Sequence, residues 1–296
     1  MPPLVSIVLG SYNRRAFLKS TLESVRNNNA DIPYEIIVVD GGSTDGSLKY
    51  LAAQKDVITI VQHNRGTFRG KKIPRRSWGY FMNLGFKAAQ GKYILMISDD
   101  CLLVPGAIKN GVEDFEHRLA KGEKLGGLAF YWRNWPDQQR YWVGLTLGNK
   151  MFINHGLYLR SALEEVKWID EERYQFYHAD GDLCLKLWQN GYEVLDSKHS
   201  FVEHFTHANH AVRKTNTLSR QSDWQAYQQR WKDIYYDPNV NNIGGWIFMD
   251  YSDKTLTISS FPIANRVTAL INLKIKGMWA IYIKPIIRKL RGKTHG

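Results

Sequence analysis

The chain has 296 residues, 44% of them apolar, enough to bury a substantial core as one large α/β domain or two fused halves. Its net charge of +12 is unevenly placed: from Lys254 onward there are nine Lys or Arg residues and no acid, leaving only about +3 on the preceding body. A nucleic-acid binder usually spreads basic charge over its folded face, so this distribution argues against nucleic acid and for a tail with its own task. In chain order, Leu4–Leu9 is a β-rich run, and Tyr12 to about Asn28 is predicted helical, with Phe17, Leu18, Leu22 and Val25 on one side. Glu35–Asp40 is predicted as a second buried strand, Gly41–Gly46 as a turn before a helix, and Val57–Val61 as a third strand. Leu84–Gln90 is predicted as a short helix leading to a strand at Tyr93–Ile97. The segment from Leu103 to about Lys198 is more irregular; its clearest element is a helix over Asp182–Gly191, ended by glycine, and Trp224–Asp233 is another predicted helix.

Strands that alternate with helices and are nearly all apolar imply a parallel sheet covered on both faces. Ligands of such sheets bind outside the carboxyl ends of the strands, which puts Ser11, Asp40 and Asp99–Asp100 on one rim. The run Tyr93–Ile97 ends in two adjacent carboxylates, Asp99 and Asp100. Such a pair at a rigid strand end suits a divalent cation, and a solvated turn is the equal alternative at this stage. The two cysteines, Cys101 and Cys184, lie in apolar surroundings, and a reduced, cytosolic setting accounts for them most simply. The N-terminus runs straight into strand-like sequence without a basic leader, so no secretory signal is expected. There is no internal repeat, P-loop, Gly-x-Gly-x-x-Gly or His-Glu-x-x-His motif.

Several stretches together carry a resemblance. They are Val5–Arg14, Glu35–Ser47, Asn83–Leu84–Gly85 leading to Gly91–Ile94, and Ser98–Asp99–Asp100. Later come Trp168–Glu171, Asp180–Lys186, Gly191–Tyr192 and Val202–Glu203–His204. In this order, over about residues 4 to 205, they resemble the family 2 glycosyltransferases of the GT-A fold, inverting enzymes of the bacterial cell-surface polysaccharide type. The resemblance implies an α/β fold with a single Rossmann-like, mostly parallel sheet flanked by helices. It implies a nucleotide-sugar (donor) half over 1–102, an acceptor-binding and catalytic half over 103–235, and a basic extension over 236–296.

The family's site roles carry over to positions of this chain as expectations. Ser11, Tyr12 and Asp40 would bind the nucleotide; Asp40 could accept a bond from the imide N–H of a uracil-like base, or simply cap its own turn. Asp99 would touch sugar or ribose. Asp100 and His204 would hold Mn²⁺ or Mg²⁺, although Ser98 stands where the family often has the first acid of Asp-x-Asp, and His199, His207 and His210 are rivals to His204. Asp180 would be the general base of a single displacement, with Asp182 as fallback or helix cap; Ala179 replaces a Glu common in the family. Asp45 needs no role beyond its turn. Arg65, Arg69, Lys71, Lys72, Arg75 and Arg76 form a basic loop that could cover a diphosphate or be solvated, and Met82 stands where Arg or Lys is common.

Phe130–Trp135 and Tyr141–Trp142 offer either stacking surfaces for a sugar or packing. No apolar run approaches the roughly 20 residues that span a bilayer. In the tail, Ile283, Ile287 and Leu290 form one helical stripe and Lys284, Arg288 and Arg291 its neighbour, which suits a helix lying on an anionic leaflet. The expected protein is thus a metal-dependent glycosyltransferase. It would use a nucleotide-sugar donor, a UDP-sugar for choice, and a saccharide or lipid-linked saccharide acceptor, peripherally at the inner face of the cell membrane. The alternatives are a catalytically inactive sugar- or membrane-binding subunit of the same fold and a basic nucleic-acid-binding module.

Overall fold

A computed structural model describes residues 2–28, 31–206, 214–240, 242–251 and 263–279. The first part of the chain gives β1 (Val5–Ser11), α1 (Arg15–Arg26), β2 (Tyr34–Asp40), α2 (Ser47–Ala52), β3 (Val57–Val61), β4 (Thr67–Phe68), β5 (Lys71–Lys72), α3 (Trp78–Ala88) and β6 (Tyr93–Met96). There follow β7 (Cys101–Leu103), α4 (Ala107–Ala120), β8 (Leu125–Trp135), β9 (Tyr141–Leu145), β10 (Met151–Phe152), β11 (Gly156–Leu159) and α5 (Arg160–Glu165). The last are α6 (Ala179–Gln189), β12 (Glu193–Phe205), α7 (Arg220–Trp231), β13 (Trp246–Met249) and α8 (Ile263–Met278). His207, His210 and the tail stripes beyond residue 279 lie outside the described residues.

The strands β3, β2, β1 and β6 run parallel in that order. Their periodicity of two divides the apolar side chains between two cores: Val5, Ile7 and Leu9 of β1 pack with Leu18 and Leu22 of α1, while Val8 packs with Met82 and Phe86 of α3. A sheet buried on both faces explains why these strands read as unbroken apolar runs. Gly85 is needed where α3 crosses β1, since a Cβ there would stand 2.5 Å from Val8 Cγ1.

Beyond β6 the sheet changes character. β11 runs antiparallel to both β6 and β8, β9 pairs antiparallel with β8, β10 and β13, and β12 lies parallel to β8 and antiparallel to β7. The stretch expected to be irregular therefore supplies a large part of the sheet. Its sequence hides this: β8 is buried along nearly its whole length without alternation and contains Gly126 and Gly127, and β12 is bulged between Ser197 and Phe201. The extension expected from residue 236 also begins later, because Trp246–Met249 joins the sheet as β13.

Helix boundaries differ from expectation for local reasons. α1 starts at Arg15 because Asn13 adopts a left-handed φ of 52° and its Oδ1 accepts a hydrogen bond from Thr44 N–H at 2.7 Å. α3 starts at Trp78, where the Ser77 hydroxyl accepts from Tyr80 N–H at 3.0 Å as an N-cap.

Candidate active site

The loops after β1 and β2 are locked to one another by side chains. Asp40 is fully buried at the end of β2, and its carboxylate accepts from Gly42 N–H (2.8 Å), Ser43 N–H (2.7 Å) and the Ser43 hydroxyl (2.7 Å). Ser43 Oγ in turn accepts from Asn13 N–H at 2.8 Å. Asp45 accepts from Ser47 and from Arg15 N–H, the turn role expected of it. The Asp40 carboxylate is thus spent on its own turn and does not line the cleft, whereas Ser11, Tyr12 and Gly41 do. Of the two readings of Asp40, the geometry favours the turn.

At the end of β6, Asp99 and Asp100 are both buried, 3% and 5% exposed. One guanidinium serves both: Arg14 Nη1 donates to Asp99 Oδ1 at 2.7 Å and to Asp100 Oδ2 at 2.8 Å. β12 pairs with β7 in a register that sets His204 opposite Cys101, one residue from Asp100. His204 Nε2 lies 3.5 Å from Asp100 Oδ1, and its Nδ1 shares a 2.7 Å hydrogen bond with Asn134 Oδ1. Burial alone would raise the Asp100 pKa, but the charges of Arg14 and His204 outweigh it and hold the carboxyl below the usual range. Asp99 goes the other way, raised by burial and by the neighbouring Asp100.

The residues present fit a divalent cation. Asp100 Oδ1 is buried with no hydrogen-bond partner, and Asp100, Cys101 and His204 each offer a donor atom within 4.8 Å of the others. A carboxylate oxygen with an imidazole nitrogen suits Mn²⁺, and burial keeps the Cys101 thiol protonated, so the first two are the natural ligands. His155, which the sequence did not single out, is buried 3.7 Å from Cys101 Sγ; burial and His204 push its pKa down to about 3, so it is neutral.

Asp180 lies in the first turn of α6, on the wall of a cleft that Asp100, His204 and Arg14 also line. Its carboxylate accepts from Asn154 Nδ2 at 3.1 Å and from Gly181 N–H at 2.9 Å. Burial raises its pKa from 3.8 to about 6, opposed only by backbone N–H groups. The residue before Ala179, His178, has a left-handed φ of 66° and stacks its ring on Tyr227 at 5.2 Å, which turns the chain at the cleft wall. Asp182, the fallback base, points the other way. It is fully buried, accepts from Tyr174 O–H (3.0 Å) and Trp231 Nε1–H (2.9 Å), and pairs with Arg230. It caps nothing and does not line the cleft; it ties α6 to α7.

The basic loop is partly recruited to the site. Arg65, Arg75 and Arg76 line the cleft with Ser11, Tyr12 and Asp99, while Arg69, Lys71 and Lys72 are exposed. Arg65 covers the Tyr12 ring at 5.1 Å and donates to Thr215 Oγ1 at 3.0 Å. Arg75 donates to Asn216 Oδ1 at 2.5 Å, and burial together with the Arg65 charge lowers its pKa.

Residues 6–165, more than half of the chain, match the sequence family described as glycosyl transferase family 2. The chain belongs to that family. EpsH of Bacillus subtilis is 32% identical over 107 residues, which cover 35% of this chain and 28% of that protein. Chondroitin synthase of Escherichia coli is 26% identical over 154 residues, 51% of this chain and 20% of that one. The chain therefore spans about a quarter of the length of these relatives. Among solved structures, a mannosyltransferase of Pyrobaculum calidifontis in complex with GDP-Man and Mn²⁺ superposes with a TM-score of 0.56 at 14% identity, covering 99% of this chain and 80% of that one. S. aureus TarS gives 0.53 at 14% identity, over 77% and 44%. The fold is GT-A.

Other stretches that match the family have structural work. Asn83 is buried and donates to Ile169 O (2.9 Å) and Glu171 Oε1 (2.7 Å), pinning the 168–171 loop to α3. Glu203 is buried and accepts from Arg133 and Tyr141, which holds β12 in the register that delivers His204. Arg14 and Asn154 are the site residues the sequence reading missed. Arg14 lies at the end of the Val5–Arg14 stretch, where nothing in its type or spacing signals a site role, and Asn154 belongs to a loop with no recognisable pattern.

Proposed function

We propose that the enzyme is an inverting, metal-dependent glycosyltransferase that moves a sugar from a nucleoside-diphosphate donor to a hydroxyl of a saccharide or lipid-linked saccharide. The observation that carries this reading is that Asp100 and Asp180, 80 positions apart in sequence, line one cleft. The acceptor oxygen attacks the anomeric carbon, the bond from that carbon to the diphosphate oxygen breaks, and the acceptor proton passes to Asp180. Asn154 and Gly181 each hold one oxygen of that carboxylate, fixing its direction. A carboxyl shifted to about 6 is ionised at neutral pH yet a better proton acceptor than an ordinary one.

Asp100 and His204 would hold Mn²⁺ or Mg²⁺, which when bound neutralises charge on the departing diphosphate. Arg14 keeps both carboxylates in place on that side, and Ser11, Tyr12 and Asp99 would receive the nucleoside and sugar. With Asp40 committed to its turn, the argument for uracil weakens, and the donor is assigned here only as a nucleotide sugar. Residues 1–102 would then serve the donor, and the acceptor half would run from 103 through β13, past the boundary expected at 235.

The enzyme would work peripherally on an anionic membrane. No helix among the described residues is long and apolar enough to cross a bilayer. α8 nevertheless exposes Ile263, Val267, Leu270, Ile271, Ile275 and Met278 along one face, and the sequence around and beyond it carries only positive charge.

A thermal-shift panel of UDP, GDP and other nucleoside diphosphates, with and without Mn²⁺, tests the donor side, because a ligand that binds only the folded form raises its melting point. A metal-dependent shift with at least one nucleotide, lost in Asp100→Ala, is expected; no shift with any nucleotide would remove the reading. For the membrane, the full chain should float with anionic vesicles and a chain ending at Phe261 should not.

A further inference from the structure

The aromatic residues between 130 and 142 divide in the fold. Phe130, Tyr131, Trp135 and Tyr141 are core residues; Trp132 and Trp142 are also largely buried, but their rings, 3.8 Å apart, reach the wall of the cleft that holds Asp180. On the inner side Trp132 meets His204 edge to face at 5.6 Å. On the outer side Trp246 meets Trp142 at 4.1 Å, with the rings at 74°, and also lines the cleft. Three indoles thus form an unbroken series of contacts that begins at the histidine beside Asp100, and all three line the cleft. The last of them, Trp246, leaves 56% of its surface exposed.

The backbone is arranged to put Trp246 there. β13 pairs with β9 so that Trp246 lies opposite Gly144 and Phe248 opposite Trp142. Trp142 is therefore the diagonal neighbour of Trp246, within reach of a large ring because Gly144 has no side chain between them. A Cβ on Gly144 would stand 2.3 Å from the Phe152 ring. The chain enters β13 through Gly244 at φ +111°, where a Cβ would stand 2.1 Å from Leu145 O. The Gly245 carbonyl then accepts from Leu145 N–H at 2.8 Å.

A single exposed Trp needs no explanation. An aromatic series that ends exposed, lines the cleft of Asp180 and begins at the histidine beside Asp100 is a binding surface. The same cleft is lined by polar groups, namely Asn154, Tyr177, His178 and Arg220, with the Arg220 guanidinium 5.9 Å above the Tyr177 ring. An apolar wall beside hydrogen-bonding groups matches a pyranose, whose ring face presents C–H groups and whose rim presents hydroxyls. The residues that line the donor side of the cleft do not include Trp246 or Trp142.

We propose that Trp246, backed by Trp142, is the acceptor subsite of this enzyme, stacking a pyranose ring of a saccharide acceptor. The assignment rests on the transfer reading above and narrows it: the part of the acceptor that is recognised is a sugar ring rather than a lipid or a peptide. The test uses the full chain with UDP or GDP and Mn²⁺ present, and an array of immobilised oligosaccharides of the gluco, galacto, manno and N-acetylhexosamine series. Wild type should be retained on at least one series. Trp246→Ala should lose about tenfold or more of that affinity, and Trp246→Phe should keep most of it. Equal retention of Trp246→Ala would overturn the subsite, as would a wild-type chain whose melting point answers to a nucleotide but which binds no series. A chain that answers to no nucleotide yet binds a glycan through Trp246 keeps the subsite and overturns the transfer reading instead.

Discussion

The two acidic corners of the cleft solve opposite electrostatic problems. At the end of β6, Asp99 and Asp100 share the Arg14 guanidinium, with His204 3.5 Å from the second carboxylate, and Asp100 is held ionised. At the start of α6, Asp180 has only amide and backbone donors around it, and burial drives its pKa up to about 6. Its neighbour Asp182, two residues on, shows the cost being met in the ordinary way: burial raises its pKa too, but Arg230 and Lys186 counter that with charge. On the transfer reading proposed above, charge would be compensated where a cation is gripped and left uncompensated where a proton is accepted, the separation of environments expected of a metal ligand and a base.

The largest effect should come from removing the uncompensated charge. Asp180→Asn should lower the transfer rate by about 10² to 10⁴ while leaving the nucleotide-induced melting shift intact. The same substitution should stabilise the protein at pH 8, because the folded state no longer pays to keep that carboxylate ionised. A shift of about two pKa units corresponds to at most about 3 kcal/mol, less for a carboxylate that keeps one face on the cleft. An inactive variant that melts lower than wild type would mean Asp180 holds the fold together rather than accepting a proton.

At the other corner the sign reverses. Arg14→Met leaves two adjacent buried carboxylates with no strong cation between them, and should destabilise by about 3 to 5 kcal/mol in metal-free buffer. Saturating Mn²⁺ should restore part of that loss by supplying the missing charge. Metal-independent destabilisation, measured by denaturant melts with and without Mn²⁺, would separate Arg14 from the cation site.

The pH dependence sharpens the contrast within one molecule. The raised Asp180 pKa means that the folded state binds this proton more tightly than the unfolded chain. Its stabilising contribution is therefore complete below about 4 and lost as pH rises through about 6. Activity should do the reverse, falling about tenfold per pH unit below 6. Asp100, with its pKa lowered, contributes stability above 3.8 that disappears only in stronger acid. A transfer rate flat from pH 5 to 8 would rule out Asp180 as the titrating base.

These contrasts were unevenly legible in the sequence. The parallel strands showed themselves because burial on both faces leaves unbroken apolar runs, as in Ile36–Val39. Asp100, His204 and Asp180 stand out through the family's ordered motifs, and all three line one cleft. Asp40 and Asp182 fit the same motifs but are spent on a turn and on a helix–helix tie, since a carboxylate's sequence position does not reveal which donors surround it. Arg14 and Asn154 escaped because their roles arise from contacts across 85 and 26 positions of chain. The antiparallel half was missed because β8 lacks alternation.

The smallest expected effect concerns the support behind the cation site. Asn134 Oδ1 holds His204 Nδ1 at 2.7 Å, which fixes the proton on Nδ1 and leaves Nε2, the nitrogen nearest Asp100, free to ligate. Asn134→Ala removes that tautomer control without touching either carboxylate, and should weaken Mn²⁺ about tenfold by metal titration. Asn134→Gln, which offers the same amide oxygen one methylene further out, should weaken it less. If both variants bind Mn²⁺ as wild type does, His204 is not a ligand, and the grip on the cation falls to the carboxylates alone.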